Sequence, residues 1–180
     1  MKVYLLLVLS CCFCAPISFG ESKIFVPKAK RPISGELYVI VDKSDYELNL
    51  YDDEGWIEGY ACVFGTKNQG DKMFEGDKKT PNGTFSIIQK RDHKEWTKIM
   101  LLDYPTQIDK DLFEQRKKKG LIPKNAKIGG GIAIHGTQPG KDYTVNVFKN
   151  WTNGCVSVRK DDILELFDKL PLGTKVTIQP

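Results

Sequence analysis

IHGTQPGKDYTVNVFKNWTNGCVSVR, residues 134–159, is the stretch on which the reading of this chain turns. A short apolar run, Ile132-Ala133-Ile134, leads into His135 and the pair Gly136-Thr137. At the far end Thr152-Asn153-Gly154 turns the chain into Cys155, and a second run, Val156-Ser157-Val158, follows. Short apolar runs bounded by glycine and polar turn residues predict strands. His135 and Cys155 therefore each stand where a strand meets a loop, a place where a rigid frame holds a side chain that solvent still reaches. A cysteine and a histidine on two such rims can form a thiolate–imidazolium pair, the starting point of nucleophilic acyl transfer.

In that chemistry Cys155 attacks, and His135 takes its proton and later gives one to the leaving amine. The carbonyl of Gly136 is the candidate to hold the second ring nitrogen and fix the tautomer, the role a carboxylate fills in other triads. Gly154 leaves the approach to Cys155 uncrowded, and the backbone N–H groups from Asn153 to Cys155 are candidates for an oxyanion hole. Thr152, Thr137 and Arg159 complete the candidate substrate contacts. The scheme needs no metal and no cofactor. Taken singly, His135 has a plainer reading as a satisfied structural histidine and Cys155 as a core cysteine, and their separation alone is a weak signal. His93 sits in a polar neighbourhood without a companion and reads as surface.

Outward from this stretch the chain is rich in strands. Residues 37–41 and 46–51 are strands, the second alternating with period two so that it buries one face. A turn at 52–55 and a third strand over 56–64 complete an antiparallel meander. Residues 65–83 set four glycines and Pro81 among charges, which reads as a long ordered loop or as a plain hairpin connection. Strands follow over 84–89 and 99–102, with polar residues 91–96 between them. Residues 65–83 and 91–130 are the candidate walls of a cleft. Residues 109–119 predict a helix capped by Asp109, with Leu112 and Phe113 as its apolar contact and the basic run 116–119 before Gly120. That basic run reads as a solvated helix end, with contact to an anionic wall polymer as the alternative. Gly129-Gly130-Gly131 lets the backbone pass close to a neighbour. Asp161 is the expected cap of a last helix carrying Ile163, Leu166 and Leu170 on one stripe, and 174–178 closes the fold as a strand. The expectation is a β-rich single domain with one or two helices.

Residues 1–20 stand apart. Lys2 precedes an apolar run over 3–13, then Pro16 and the small pair Ser18-x-Gly20. Such a run is too short to span a bilayer and fits a secretory signal cleaved after Gly20, which places the protein in the periplasm or cell envelope. Val8-Leu9-Ser10-Cys11 offers a second reading, a lipid anchor at Cys11, the one route to the membrane. Residues 21–36, basic and broken by Pro27 and Pro32, read as a linker, leaving 37–180 as the domain. The chain has 27 Lys and Arg against 23 Asp and Glu. Losing Lys2 makes the balance weaker still, which does not suggest a nucleic-acid binder. Cleavage also removes Cys11, Cys12 and Cys14. Of the remaining pair, Cys62 lies in an apolar run and reads as core, while Cys155 lies in a polar turn and reads as reactive, so two free thiols are expected in place of a disulfide. The expected state is a monomer.

Three motifs appear in order: Gly76-Asp77-x-x-Thr80-Pro81-x-Gly83-x-Phe85, Ile134-His135-Gly136-Thr137 and Thr152-x-Gly154-Cys155-Val156. With the terminal Leu172-Gly173-Thr174-x-Val176-x-Ile178 they make the chain resemble, over residues 37–179, the L,D-transpeptidase catalytic domain, the cysteine-dependent cross-linking enzymes of bacterial peptidoglycan. The resemblance implies a β-sandwich-like domain without metal, with Cys155 as nucleophile, His135 as its proton partner, the Gly136 carbonyl as third member and peptidoglycan stem peptides as substrate. Members of the family commonly carry an arginine two places after the cysteine. Ser157 stands there in this chain, and Arg159 lies two residues further on. The form Trp151-Thr152-x-Gly154-Cys155-Val156-x-Val158 is similar to a subgroup with hydrolytic members, so a peptidoglycan hydrolase or amidase using the same pair is the second reading. A third is a non-catalytic wall-binding module, whose mark would be a Cys62–Cys155 disulfide.

Overall fold

Alternation of apolar residues sets the strands, and their inward faces meet in one core. A computed structural model describes residues 31–180. The signal segment, the lipid-anchor cysteine and most of the linker reading lie outside the described residues. The strands are β1 (Tyr38–Asp42), β2 (Glu47–Asp52), β3 (Gly55–Val63), β4 (Gly83–His93), β5 (Thr97–Leu102), β6 (Ala133–Gly136), β7 (Val156–Val158) and β8 (Lys175–Gln179). The helices are α1 (Gln107–Lys118), the single turn α2 (Tyr143–Asn146) and α3 (Lys160–Lys169). The strands close in the order β1-β2-β3-β7-β6-β5-β4-β8. Two neighbouring pairs, β1 with β8 and β6 with β7, are parallel; the rest are antiparallel. The chain is mainly β and forms a single domain, as expected, though the sheet closes on itself and the one-turn α2 adds a third helix.

Val39, Val41, Leu48, Leu50, Phe85, Met100, Ile134, Val156 and Val176 are all buried in one cluster. Ile163, Leu166 and Leu170 of α3 join that cluster, so the helix seals the barrel with its apolar stripe. Lys90 of β4 donates to the Leu170 carbonyl at 2.7 Å and to that of Phe167, satisfying acceptors that the end of α3 leaves open. At the start of the described chain Arg31 grips Asp52 with two hydrogen bonds of 2.7 and 2.6 Å. That pairing, joined by the Ser34 N–H, holds the Asp52 carboxyl well below the usual carboxylate range.

Three boundaries differ from the expectation. β4 continues through Arg91, Asp92 and His93, because residues on a hairpin that stands clear of the core need no apolar alternation. The cap of α1 is Thr106, not Asp109. Asp109 is the third helical residue, and the two close a capping box in which the Thr106 N–H donates to the Asp109 carboxylate at 2.7 Å. α3 starts after an extended Arg159, with Asp161 inside the first turn, where its charge faces the helix dipole without capping it. Thr106→Ala should therefore cost about 1 kcal/mol of stability, while Asp161→Ala should stay within about 0.5 kcal/mol. Urea denaturation of the two variants gives the ranking, and the reverse order would contradict this account of the caps.

Candidate active site

β6 and β7 lie side by side and parallel, with Ile134 opposite Val156 and His135 opposite Ser157. Ile134, Val156 and Val158 belong to the barrel core. Alternation then turns His135 and Ser157 to the outer face, and Cys155, one residue before β7, shares it. Cys155 is partly exposed and unpaired, whereas Cys62, opposite Val158 across β3 and β7, is fully buried in the core and also free. The two sulfurs lie on opposite faces of the sheet, so the disulfide that would mark a non-catalytic module is not formed.

The imidazole of His135 is held on several sides. Its Nδ1 lies 2.7 Å from the carbonyl oxygen of Gly136. A carbonyl only accepts, so Nδ1 carries the proton and a neutral ring presents a bare Nε2. Trp96 stacks on the ring at 4.4 Å with an interplanar angle of 23°, and Trp151 meets it edge-on at 5.5 Å. Gly136 leaves no room for a side chain: a Cβ would fall 2.8 Å from both the Trp96 carbonyl and Ile163 Cγ2.

The cysteine is delivered by a tight turn. Thr152 Oγ1 donates to the Cys155 carbonyl at 2.8 Å and accepts the Gly154 N–H at 3.1 Å. Gly154 adopts φ 126°, a left-handed conformation, and a Cβ there would sit 2.7 Å from the Lys79 carbonyl. The turn hangs from the end of β3, since the Trp151 and Thr152 N–H groups both donate to the Phe64 carbonyl. Behind it stands the 65–83 segment, an ordered wall. Asp77 accepts from the backbone of Met73, Phe74 and Lys79 and pairs with the buried Lys72 at 2.8 Å. Arg116, read from sequence as part of a solvated helix end, instead ties α1 to this wall, donating to Asp71 at 2.6 Å and to the Lys72 carbonyl at 2.8 Å. From the other candidate wall, 91–130, comes Trp96, and just beyond it the Gly131 carbonyl lies 3.5 Å from Cys155 Sγ.

Burial pushes the His135 imidazole down to about 4, against the pull of its bond to Gly136. Burial also pushes the Cys155 thiol up, opposed by the Ala133 N–H and the charge of Lys72. Both shifts favour a neutral thiol and a neutral imidazole at rest, in place of the charged pair that the sequence suggested, because desolvation disfavours either charge.

Of the other sequence candidates, Asn153 is exposed in the turn. Thr137 is buried, and its hydroxyl donates to Asp142. Arg159 turns its Nε onto Asp162 at 2.9 Å. The hydroxyls of Thr137 and Thr152 are thus engaged in holding loops, and the Gly154 N–H is engaged by Thr152. Sequence reasoning gave Trp96, His93 and Lys72 no place in the site, and it quoted Asp77 and Trp151 within motifs without a role. His93, read as surface without a companion, stacks on Trp96 at 4.2 Å. Its one signal was a tryptophan standing in an otherwise polar turn. Among the described residues no group of three or more His, Cys, Asp or Glu side chains is placed to hold a metal.

A barrel domain with a histidine and a cysteine on adjoining parallel strands is suited to thiol-based acyl transfer. The L,D-transpeptidase catalytic-domain family, YkuD, matches residues 36–178, and the chain belongs to that family. It is 29% identical over 156 residues to YqjB of Bacillus subtilis, an L,D-transpeptidase by assignment alone, with 84% of this chain and 76% of that protein covered. Among solved structures, Pgp2 from Campylobacter jejuni, described as determining helical cell shape, matches with a TM-score of 0.58 at 22% identity over 79% of this chain and 47% of that one. Bd1075 of Bdellovibrio bacteriovorus gives a TM-score of 0.57 at 23% identity, covering 80% of this chain and 48% of that one. The C442S mutant of the Enterococcus faecium L,D-transpeptidase gives 0.52 at 16%, covering 81% and 50%. These structures share the fold, and the chain spans about half their length.

Two measurements probe the site. In an NMR titration the His135 ring should stay neutral until pH falls to about 4, and iodoacetamide should alkylate Cys155 slowly at pH 7 and faster only as pH rises past the ordinary thiol value of 9.0. Alkylation already at its plateau at pH 7 would reveal a preformed thiolate and end this account. The depressed His135 value has a linked effect on stability: nothing above the unfolded value of 6.5, then a loss as pH falls from there through about 4. Separately, Asp77→Ala strands the buried Lys72 charge and should cost about 3–5 kcal/mol. Adding Lys72→Met should recover much of that loss in the same denaturation assay.

Proposed function

We propose that the protein is an exported, cysteine-dependent L,D-transpeptidase of the bacterial cell envelope that acts on peptidoglycan stem peptides. The observation that carries this reading is the His135 Nδ1–Gly136 carbonyl bond, which leaves Nε2 as a base on the sheet face that Cys155 also occupies, within a chain of this family.

Cys155 Sγ attacks the carbonyl of the L,D-configured amide of a stem tetrapeptide as its proton passes to His135 Nε2. An S–C bond forms, and the oxyanion is met by backbone amides of the turn; with the Gly154 N–H engaged, those of Asn153 and Cys155 are the candidates. The C–N bond breaks, and the imidazolium gives its proton to the departing D-alanine amine. A side-chain amine of a neighbouring stem, or of a wall-linked protein, then attacks the thioester. The new C–N bond forms, the S–C bond breaks, and His135 returns the amine's proton to the thiol. Because imidazole and thiol are neutral at rest, proton transfer accompanies attack, and no charge has to be stabilised in the empty site.

A second reading, hydrolysis of the same thioester by water, is favoured by Ser157. This residue stands where the family commonly has arginine, is fully buried opposite His135, and its hydroxyl has no partner among the described residues. Such a position suits a small polar group that orders a water.

Purified tetrapeptide muropeptides should yield a thioester adduct at Cys155 by intact-mass spectrometry, and Cys155→Ala should lose both adduct and turnover. Full turnover in that variant would refute the thioester. A gain of dimers marks joining, and a loss of added dimers marks cutting.

A further inference from the structure

The acyl-transfer scheme above gives no role to the β4–β5 hairpin tip. Its residue Trp96 touches the catalytic unit twice. The indole lies over the His135 ring, and the Trp96 carbonyl accepts the N–H of Gly136 at 3.2 Å, the same residue whose own carbonyl holds His135 Nδ1. One residue thus sets both the plane of the imidazole and the position of the peptide that fixes its tautomer. The indole is itself held from behind. His93 stacks on Trp96 at 4.2 Å and 8°, and its Nδ1 accepts the N–H groups of Glu95 and Trp96, both at 3.2 Å. The turn closes through Thr97 at φ 62°, a left-handed conformation costly for a β-branched residue and found where surrounding contacts enforce it. The Lys98 N–H also donates to the Trp96 carbonyl at 2.6 Å. A plain hairpin would need none of this. Lys98 and Asp92 of the same hairpin are paired with each other, and Lys90 is turned onto the end of α3.

We propose that Trp96, backed by His93, is a positioning residue for His135: it locks the imidazole plane, keeps water from one ring face, and so holds Nε2 as a neutral base toward Cys155. This rests on the acyl-transfer reading above. Burial is the leading cause of the low proton affinity of His135, and Trp96 covers one face of that ring.

Three versions of the full chain test it: wild type, Trp96→Ala and Trp96→Phe. The alanine variant should lose about tenfold to a hundredfold in kcat on tetrapeptide muropeptides with little change in KM, as expected when a base is misaligned without loss of substrate contacts. Its His135 titration, followed by NMR, should rise by about one pH unit or more toward the ordinary value. The phenylalanine variant keeps a ring over the imidazole and should restore most of both. Unchanged kcat and titration in Trp96→Ala overturn the proposal. So do equal losses in alanine and phenylalanine, which would assign the role to the indole N–H. If the wild type shows no turnover, the acyl-transfer reading fails by itself, and the ring titrations still decide the role of Trp96. If Trp96→Ala does not fold, the wild-type spectrum decides: a single Nδ1–H tautomer with ring protons shifted upfield by the indole supports the proposal, and tautomer exchange or titration near 6.5 overturns it.

Discussion

The parallel pairing of β6 with β7 is the constraint on which the rest of the site depends. It is a short contact, with three residue pairs from Ile134↔Val156 to Gly136↔Val158. Parallel neighbours cannot be joined by a tight turn, so the chain must leave the sheet and return. The excursion over 137–155 contains α2, Trp151 and the cysteine turn. Register then settles the face: a slip of one residue would send either His135 or Cys155 into the barrel core, where Ile134 and Val156 now lie. The apolar inward residues of these strands therefore do chemical service at a distance, because burying them is what forces the histidine and the cysteine outward together.

A register alone does not hold a thiol in place, and the second requirement is met by polar loops tied to one another. Asp77 gathers three backbone N–H groups and the Lys72 ammonium. Lys43 reaches across from the end of β1 to the Thr80 carbonyl at 3.3 Å and to that of Gln69, and burial pushes its own proton affinity down to about 8. The loop so stiffened presents its Lys79 carbonyl to Gly154, which admits no side chain. Removing an anion from such a network costs more than the pair itself contributes, since a buried cation is left behind. The glycine-rich segment is ordered by charge inside it, and that order passes to the turn bearing Cys155.

How much of this was legible in the sequence depends on the kind of information each element needed. Strands with alternating apolar residues, such as Leu48 and Leu50 in β2 or Val176 and Ile178 in β8, were read within a residue or two. Their signal is local and repeats. The carboxyl half of β4 was missed because Arg91 and Asp92 face solvent on a hairpin, where alternation carries no meaning. The α1 cap was misplaced by three residues. Thr106 and Asp109 are both good capping residues, and only their reciprocal bond tells which stands outside the helix. His135, Gly136 and Cys155 were singled out because motif and strand context agreed, and the structure sets His135 and Cys155 on one face of the sheet. His93 and Trp96 were not, since ring stacking across a hairpin to a third strand leaves no period in the sequence. Thr152 and Thr137 were read as substrate contacts, and in the structure their hydroxyls bond the Cys155 carbonyl and Asp142. Their hydroxyls hold the backbone of the loops, a distinction that residue type cannot make.

The neutral resting state of the pair follows from the same packing and bears on how a buried imidazole can act at all. A base whose conjugate acid is held near pH 4 looks weak beside a thiol pushed above its ordinary value. The difference, however, is a property of the empty site, where neither charge has a partner. In the reaction proposed here, negative charge moves off the thiol toward the carbonyl oxygen as sulfur attacks, and a proton arrives on His135 while the Gly136 carbonyl still accepts from Nδ1. The Gly136 carbonyl dipole favours the imidazolium, and the amides of the cysteine turn favour the oxyanion. These groups are already in place before the reaction, so they stabilise charge as it forms without reorganising. Desolvation thus suppresses the ion pair before substrate arrives and strengthens each of these interactions once it has. A more open site would raise the histidine and lower the thiol, giving a thiolate exposed to any electrophile. In a site built this way, reactivity is conditional on occupancy.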